Sequence, residues 1–175
     1  MNFILDTTNI LEFYEATMRK NHLDDTDRQI LSLLQGNARI SNAEIARRVG
    51  KAPSAILERI RKLETSGVIL GYETRISPKA LGLGLTAFTF VHAEDAVGST
   101  RSGHELAELP EVLEVHHTAG QDAYLIKVRV GDTEELGQLL RKIGSIDSVR
   151  DTRSTIVLGS VKETIALTIR NDTQD

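Results

Sequence analysis

The stretch "SNAEIARRVGKAPSAILERIRKLE", residues 41–64, constrains the fold more than any other part of the chain. Ser41 and Glu44 have the S-x-x-E spacing of a capping box, in which each side chain satisfies the other residue's orphan backbone donor. This predicts a short helix from Asn42 to Val49, with Ile45, Ala46 and Val49 inward. Gly50 permits the left-handed conformation of a tight helix exit, and Pro53 suits the first turn of a following helix, where its missing N–H is no loss. At about 100° per residue, Ile56, Ile60 and Leu63 then form one apolar stripe, with Ser54, Glu58, Arg61, Lys62 and Thr65 opposite. Upstream, Asp24, Asp25 and Asp27 crowd a helix start and Ile30, Leu31, Leu33 and Leu34 supply its buried side. Gly36 and Asn37 end it.

A short helix, a tight turn and a second helix with an apolar back and a small-polar, basic front is the helix-turn-helix arrangement, whose second helix enters the DNA major groove. Charge supports this reading. The chain has a net charge of −4, yet residues 23–77 hold nine basic and seven acidic groups, while residues 78–175 hold ten and fifteen. A basic module next to an acidic one faces a polyanion with the first and not with the second. The candidate DNA contacts are Arg47, Lys51, Ser54, Ala55, Glu58, Arg59, Arg61 and Lys62. Val68, Leu70 and Tyr72 alternate with Ile69 and Gly71 in "SGVILGYETRIS", which predicts a short hairpin wing.

The string "ISNAEIARRVGKAPSAILERIRKLETSGVILGY" resembles the winged helix of the leucine-responsive and asparagine-responsive regulators, the Lrp/AsnC family. Its most specific part is "LERIRKLETSGVILGY", with Leu57, Glu58, Arg59, Arg61, Leu63, Gly67, Ile69, Gly71 and Tyr72. Lys51 and Ala52 depart from the small apolar residue and serine that such proteins commonly carry there.

Four segments divide the chain: an N-terminal helical extension (1–22), a winged helix-turn-helix domain (23–77), a linker (78–84) and an α/β domain (85–175). Ile10, Phe13, Tyr14 and Thr17 give the extension helical spacing. In the linker, "GLGLTA" (82–87) matches the G-x-G-x-x-G/A dinucleotide fingerprint by letter. No strand precedes it and a β-branched, aromatic strand follows, so the context that seats a pyrophosphate on a helix N-terminus is missing.

Beyond the linker, strand 85–93, helix 100–109, strands 112–119 and 123–131, helix 132–144 and strand 148–158 alternate as βαββαβ. The class is α+β: a winged helix-turn-helix joined to a ferredoxin-like sandwich with both helices on one face of an antiparallel sheet. The first strand is apolar on both faces, with Leu85, Ala87 and Val91 on one and Phe88 and Phe90 on the other. The face left bare by the helices calls for a second copy, so a two-fold homodimer is expected, with higher assembly up to an octamer open. "VKETIALTIR" alternates Val161, Ile165, Leu167 and Ile169 and is expected to add a strand.

The second domain resembles the ligand-sensing domain of the same family through "HHTAGQDAYLIKVRV". By that resemblance Thr118, Gly120, Asp122 and Tyr124 bind a small amino-acid-type effector, with Thr155, Ile156 and Val157 as the opposing wall. A carboxylate can receive an α-ammonium group, and backbone N–H groups freed by Gly120 can receive an α-carboxylate. Adjacent His116 and His117 point to opposite faces of a strand and do not share a metal. No cofactor or catalytic residue is expected: there is no cysteine, no phosphate loop and no supported nucleophile triad. Proteins of similar two-domain plan also include siroheme-type tetrapyrrole decarboxylases, an alternative that His92, His104, His116 and His117 leave open. The absence of cysteine, of a basic leader and of any long apolar run predicts a cytoplasmic protein with no membrane partner, whose partners are double-stranded DNA, the effector and itself.

Overall fold

The computed structural model describes residues 23–96 and 99–170. The helix expected within 1–22 lies outside them. The chain divides into two compact units, one running to Thr74 and including the chain from Thr164, the other Arg75–Glu163.

The first unit is built on α1 (Asp25–Gly36), α2 (Asn42–Val49) and α3 (Pro53–Thr65). The reciprocal capping box is at α1 and not at α2, where the sequence placed it. Asp24 accepts from the Asp27 amide at 2.8 Å, and the Asp27 carboxylate accepts from the Asp24 amide at 3.3 Å. At α2 Ser41 does accept from the Glu44 amide at 3.2 Å, but the Glu44 carboxylate turns to two arginines instead of back to Ser41. Gly50, at φ 69°, takes the left-handed exit and lets the Lys51 amide reach the Ala46 carbonyl at 3.0 Å. Pro53 occupies the first turn of α3, after Ala52, whose side chain offers no cap.

Ile30, Ile45, Ala46, Ile56, Ile60 and Leu63 are buried together, with Leu31, Leu33, Leu34, Val49, Val68 and Ile69 packed around them. Burial of each large aliphatic contributes roughly 1.5–3 kcal/mol, and this stripe sets the roll of α3 about its axis. The expected wing hairpin is not formed. Val68 and Ile69 close the core, but residues 70–77 hold no strand and Leu70 is 95% exposed. A ribbon needs a second strand within hydrogen-bonding reach, and the single chain supplies none here.

The second unit places β1 (Leu85–Ala93), α4 (Arg101–Ala107), β2 (Val112–His117), β3 (Tyr124–Val130), α5 (Thr133–Gly144) and β4 (Val149–Ile156) in an antiparallel sheet of order β2-β3-β1-β4. The predicted element order holds: β1 has the predicted bounds, and each of the other five elements is one to three residues shorter overall. Ala87, Val91, Tyr124, Ile126 and Val128 pack against Leu106 of α4 and Leu136, Leu139 and Ile143 of α5 on one face. The other face carries Phe88 and Phe90 from β1, as expected, but β2 and β3 add Glu114, Lys127 and Arg129 to it. That open face is therefore part aromatic and part ionic. The glycine motif behaves as a turn: Pro78–Leu81 is a 3-10 turn ending at Gly82 with φ 75°, and β1 follows directly.

The added strand expected from "VKETIALTIR" is absent among the described residues. Residues 157–170 run on without strand pairing, leaving Leu158, Val161, Ile165 and Leu167 exposed. Two sets of contacts hold the segment. Glu163 pairs with Lys127 and Arg129 in the second unit. In the first unit the Gln35 amide brackets the Leu167 main chain, accepting from its N–H at 2.6 Å and donating to its carbonyl at 3.1 Å. The contacts of the chain from Thr164 thus fall in the first unit, whereas the sequence reading kept all of 85–175 in one domain.

Candidate DNA-reading face and effector loop

Because the stripe Ile56, Ile60 and Leu63 faces inward, α3 presents Ser54, Glu58, Arg61 and Lys62 to solvent. The six basic residues between 46 and 64 separate into three kinds. Arg59 is held inside the unit: one guanidinium nitrogen donates to Asp24 at 2.7 Å and to Asp27 at 2.8 Å. It lies one residue before buried Ile60, at the edge of the stripe, and so reaches the start of α1. This differs from the expected DNA contact: the Arg59 charge is already paired within the unit, and the residue is a clamp between α3 and α1. The Asp27 amide, and then Arg59, hold the Asp24 carboxyl below its ordinary value.

Arg47 and Arg48 share Glu44, with contacts of 2.7–2.9 Å. Their hydrogen bonds lower the Glu44 carboxyl to about 2, so this group is ionised and cancels one of the two charges. Lys51, Arg61 and Lys62 are the third kind. Each is exposed, and among the described residues none has an ion-pair partner. Ala55 is half-buried at the foot of this face. The uncapped start of α3 adds backbone N–H groups with the positive end of the helix dipole behind them.

The predicted effector residues do not converge on one side of the second unit. Tyr124 is paired with Val91 and faces the helices, 2% exposed, donating its hydroxyl to Asp95 at 2.9 Å. It lines a cleft of about 270 Å³ with Asp95, Ser99, Thr100 and His117. Ser102, fully buried, donates to the other Asp95 oxygen at 2.7 Å, and these bonds keep Asp95 below its ordinary value. Tyr124 is thus a core residue: its pairing with Val91 puts it on the helix-covered face, whereas Asp122 lies in the loop before β3 begins, where strand alternation does not set its direction.

The β2–β3 loop is closed by Thr118. Its amide donates to the Ala123 carbonyl at 2.9 Å and its hydroxyl to the Asp122 carbonyl at 2.6 Å. His92 Nδ1 lies 2.9 Å from the Gln121 carbonyl. Gly120 is exposed at the tip but is not in the left-handed region, which among the described glycines holds only Gly50, Gly67 and Gly82. The loop therefore lacks the left-handed residue that would fold its N–H groups into an anion-binding concavity. Asp122 meets a residue the sequence did not flag: Arg153, opposite Phe90 in the β1–β4 register, donates to its carboxylate at 2.9 Å. Thr155 shares that open face, opposite Phe88. Ile156 pairs with Ala87 toward the helix side, and the Val157 amide donates to Thr86. No local pattern marks Arg153, which is thirty-one residues from its partner.

The four described histidines do not gather either. His92 and His116 fall on the open face, His117 stacks near the Tyr124 ring on the other, and His104 is on α4.

A helix-turn-helix with free cations on its outer helix, in one chain with a ferredoxin-like unit, defines a two-domain DNA-binding regulator. Residues 23–69 match the winged helix-turn-helix DNA-binding domain, and residues 86–167 match the Lrp/AsnC ligand binding domain. The transcriptional regulator FL11 of Pyrococcus horikoshii is 40% identical over 148 residues, covering 85% of this chain and 97% of its own. Among solved structures, a regulator from Neisseria meningitidis in complex with L-methionine shares 34% identity at a TM-score of 0.77, covering 83% of this chain and 96% of that one. AsnC of E. coli shares 33% at 0.77, covering 83% and 99%. The chain belongs to the Lrp/AsnC family of transcriptional regulators. These relatives are regulators, and they lend nothing to the decarboxylase alternative.

Proposed function

We propose that α3 is the reading helix of a sequence-specific regulator, with Arg61 at a base edge or phosphate and Lys51 and Lys62 on phosphates. Ser54, Ala55 and Glu58 face the bases, and Arg47 approaches the backbone from α2. The observation that carries this is the sorting of charge. Arg59 is locked and Arg47 and Arg48 share one carboxylate, while Lys51, Arg61 and Lys62 stay free on the outer face. The uncapped α3 N-terminus suits a phosphate. Anisotropy titrations of operator DNA across a salt series test it: Arg61→Ala should weaken binding by about 1–3 kcal/mol, or lower the salt slope if the contact is a phosphate. Unchanged affinity with unchanged slope would sink the assignment.

The second unit senses an amino-acid-type effector at the β2–β3 loop, in keeping with the methionine complex of the Neisseria relative. The protein works as a dimer or a higher assembly up to an octamer, with no resident cofactor or catalytic step, and acts in the cytoplasm. Among the described residues no helix is long and apolar enough to cross a membrane. The half-exposed Phe88, together with fully exposed Leu158 and Val161, supports pairing with a second copy. Light scattering that finds only monomer at micromolar concentration would refute the assembly.

A further inference from the structure

The loop proposed to hold an amino acid supplies one charge of the two that a zwitterion needs. Asp122 can receive the ammonium group, but Gly120 does not form the backbone concavity expected to take the carboxylate. A cation stands in its place. Arg153 lies beside Asp122, 2.9 Å away, with its guanidinium carbon 4.9 Å from the centroid of the Phe90 ring. We infer that Asp122 and Arg153 together read both charged groups of a free α-amino acid, with Arg153 as the residue that binds the α-carboxylate. This rests on the reading of the loop as the effector site.

The geometry favours addition of a ligand to the pair over its disruption. The Asp122 side chain is only 18% exposed, and its main-chain carbonyl accepts from the Thr118 hydroxyl, which pins the backbone that carries the carboxylate. Only one of its oxygens is occupied by Arg153. Arg153 is 64% exposed and uses one nitrogen of its fork on Asp122, leaving further N–H donors for a planar carboxylate. The guanidinium carbon lies over the Phe90 ring, a cation–π contact that helps to position it. The ammonium and carboxylate of an α-amino acid are attached to one carbon, so they sit side by side as the two protein charges do. A lone amine or a lone carboxylate engages one half and leaves the other unanswered.

The test separates the carboxylate contact from loop binding as such. Wild type is screened by thermal shift and calorimetry against the twenty L-amino acids. The amino acid that binds tightest is then compared with its α-carboxamide, at a pH where both are ammonium cations. Wild type should prefer the acid by about tenfold or more, the size of one charge-assisted contact. Arg153→Gln should bring acid and amide within about twofold of each other while the amide binds as before, and Arg153→Lys should fall between. If no amino acid binds wild type, the effector reading fails and this inference with it. If amino acids bind but wild type does not discriminate, or Arg153→Gln keeps the preference, the inference fails and the effector reading stands. Loss of acid and amide alike in Arg153→Gln makes Arg153 only a support for Asp122 and overturns the inference too.

Discussion

Replacing Arg59 by alanine should loosen the DNA-binding unit without removing a DNA contact. The guanidinium makes two charge-assisted hydrogen bonds, of 2.7 Å to Asp24 and 2.8 Å to Asp27. Bonds of this type contribute about 1.5–3 kcal/mol where solvent is excluded. Here Asp27 is 15% exposed but Asp24 is 48% exposed, so the Asp24 half is largely screened. A total loss of about 1–2 kcal/mol follows once the screened half is discounted. For a unit of this size, each kcal/mol moves its Tm by about 4–8 °C. Hydrogen exchange on the full chain is the direct assay, since it resolves amides of α1 and α3 from those of the sheet. Protection in both helices should fall by roughly tenfold per 1.4 kcal/mol, while Arg61→Ala leaves it unchanged. The acid response checks the same contact. The folded state lowers the Asp24 carboxyl below its ordinary 3.8, first through the Asp27 amide and then through Arg59. Its stabilising effect is therefore full above that value and is lost as pH falls through the lowered one. Protection of α1 should drop below about pH 4 in wild type, and less steeply in Arg59→Ala, where the Asp27 amide still favours the anion. Intact protection in Arg59→Ala combined with DNA binding as weak as that of Arg61→Ala would refute the clamp and return Arg59 to the DNA interface.

Glu44→Gln should release Arg47 and Arg48 from their shared carboxylate and raise the charge of α2 by one, tightening nonspecific DNA binding. Its log-log salt slope should steepen by up to about 0.9 if the freed charge meets a phosphate, and an unchanged slope means α2 stays off the backbone. Gly103→Ala brings a Cβ to 2.6 Å from a Tyr124 ring carbon, and that ring is 2% exposed with its hydroxyl tied to Asp95. Denaturant unfolding of the second unit should show a loss of about 1–3 kcal/mol, and wild-type stability would show that α4 can move aside. Asp122→Ala should leave effector-free DNA affinity intact and abolish the effector's influence on it, because a ligand shifts an equilibrium only by its differential binding. A full effector response in that variant places the ligand elsewhere.

The elements and their order were set by local chemistry that a sequence displays. Apolar spacing fixed the inward faces of α1, α2 and α3, and Ile56, Ile60 and Leu63 are buried as their 3.6-residue rhythm requires. Gly50 and Pro53 marked the turn between helices, and strand alternation put Phe88 and Phe90 on one face of β1. Those features depend on neighbours within a few residues. The tertiary structure alone decided which charges are free. Glu44 satisfies the capping spacing yet serves two arginines, and the working capping box belongs to two aspartates that also receive Arg59 from over thirty residues away. Tyr124 and Asp122 are two positions apart in the loop signature, but the tyrosine's strand register turns it into the core while the aspartate meets Arg153 on the open face. An ion pair needs two side chains within a few ångströms, and periodicity carries no information about which distant segment folding brings there. The wing and the last strand failed for the same reason: their alternation is visible in the sequence, but a strand forms only where the fold sets another backbone alongside it.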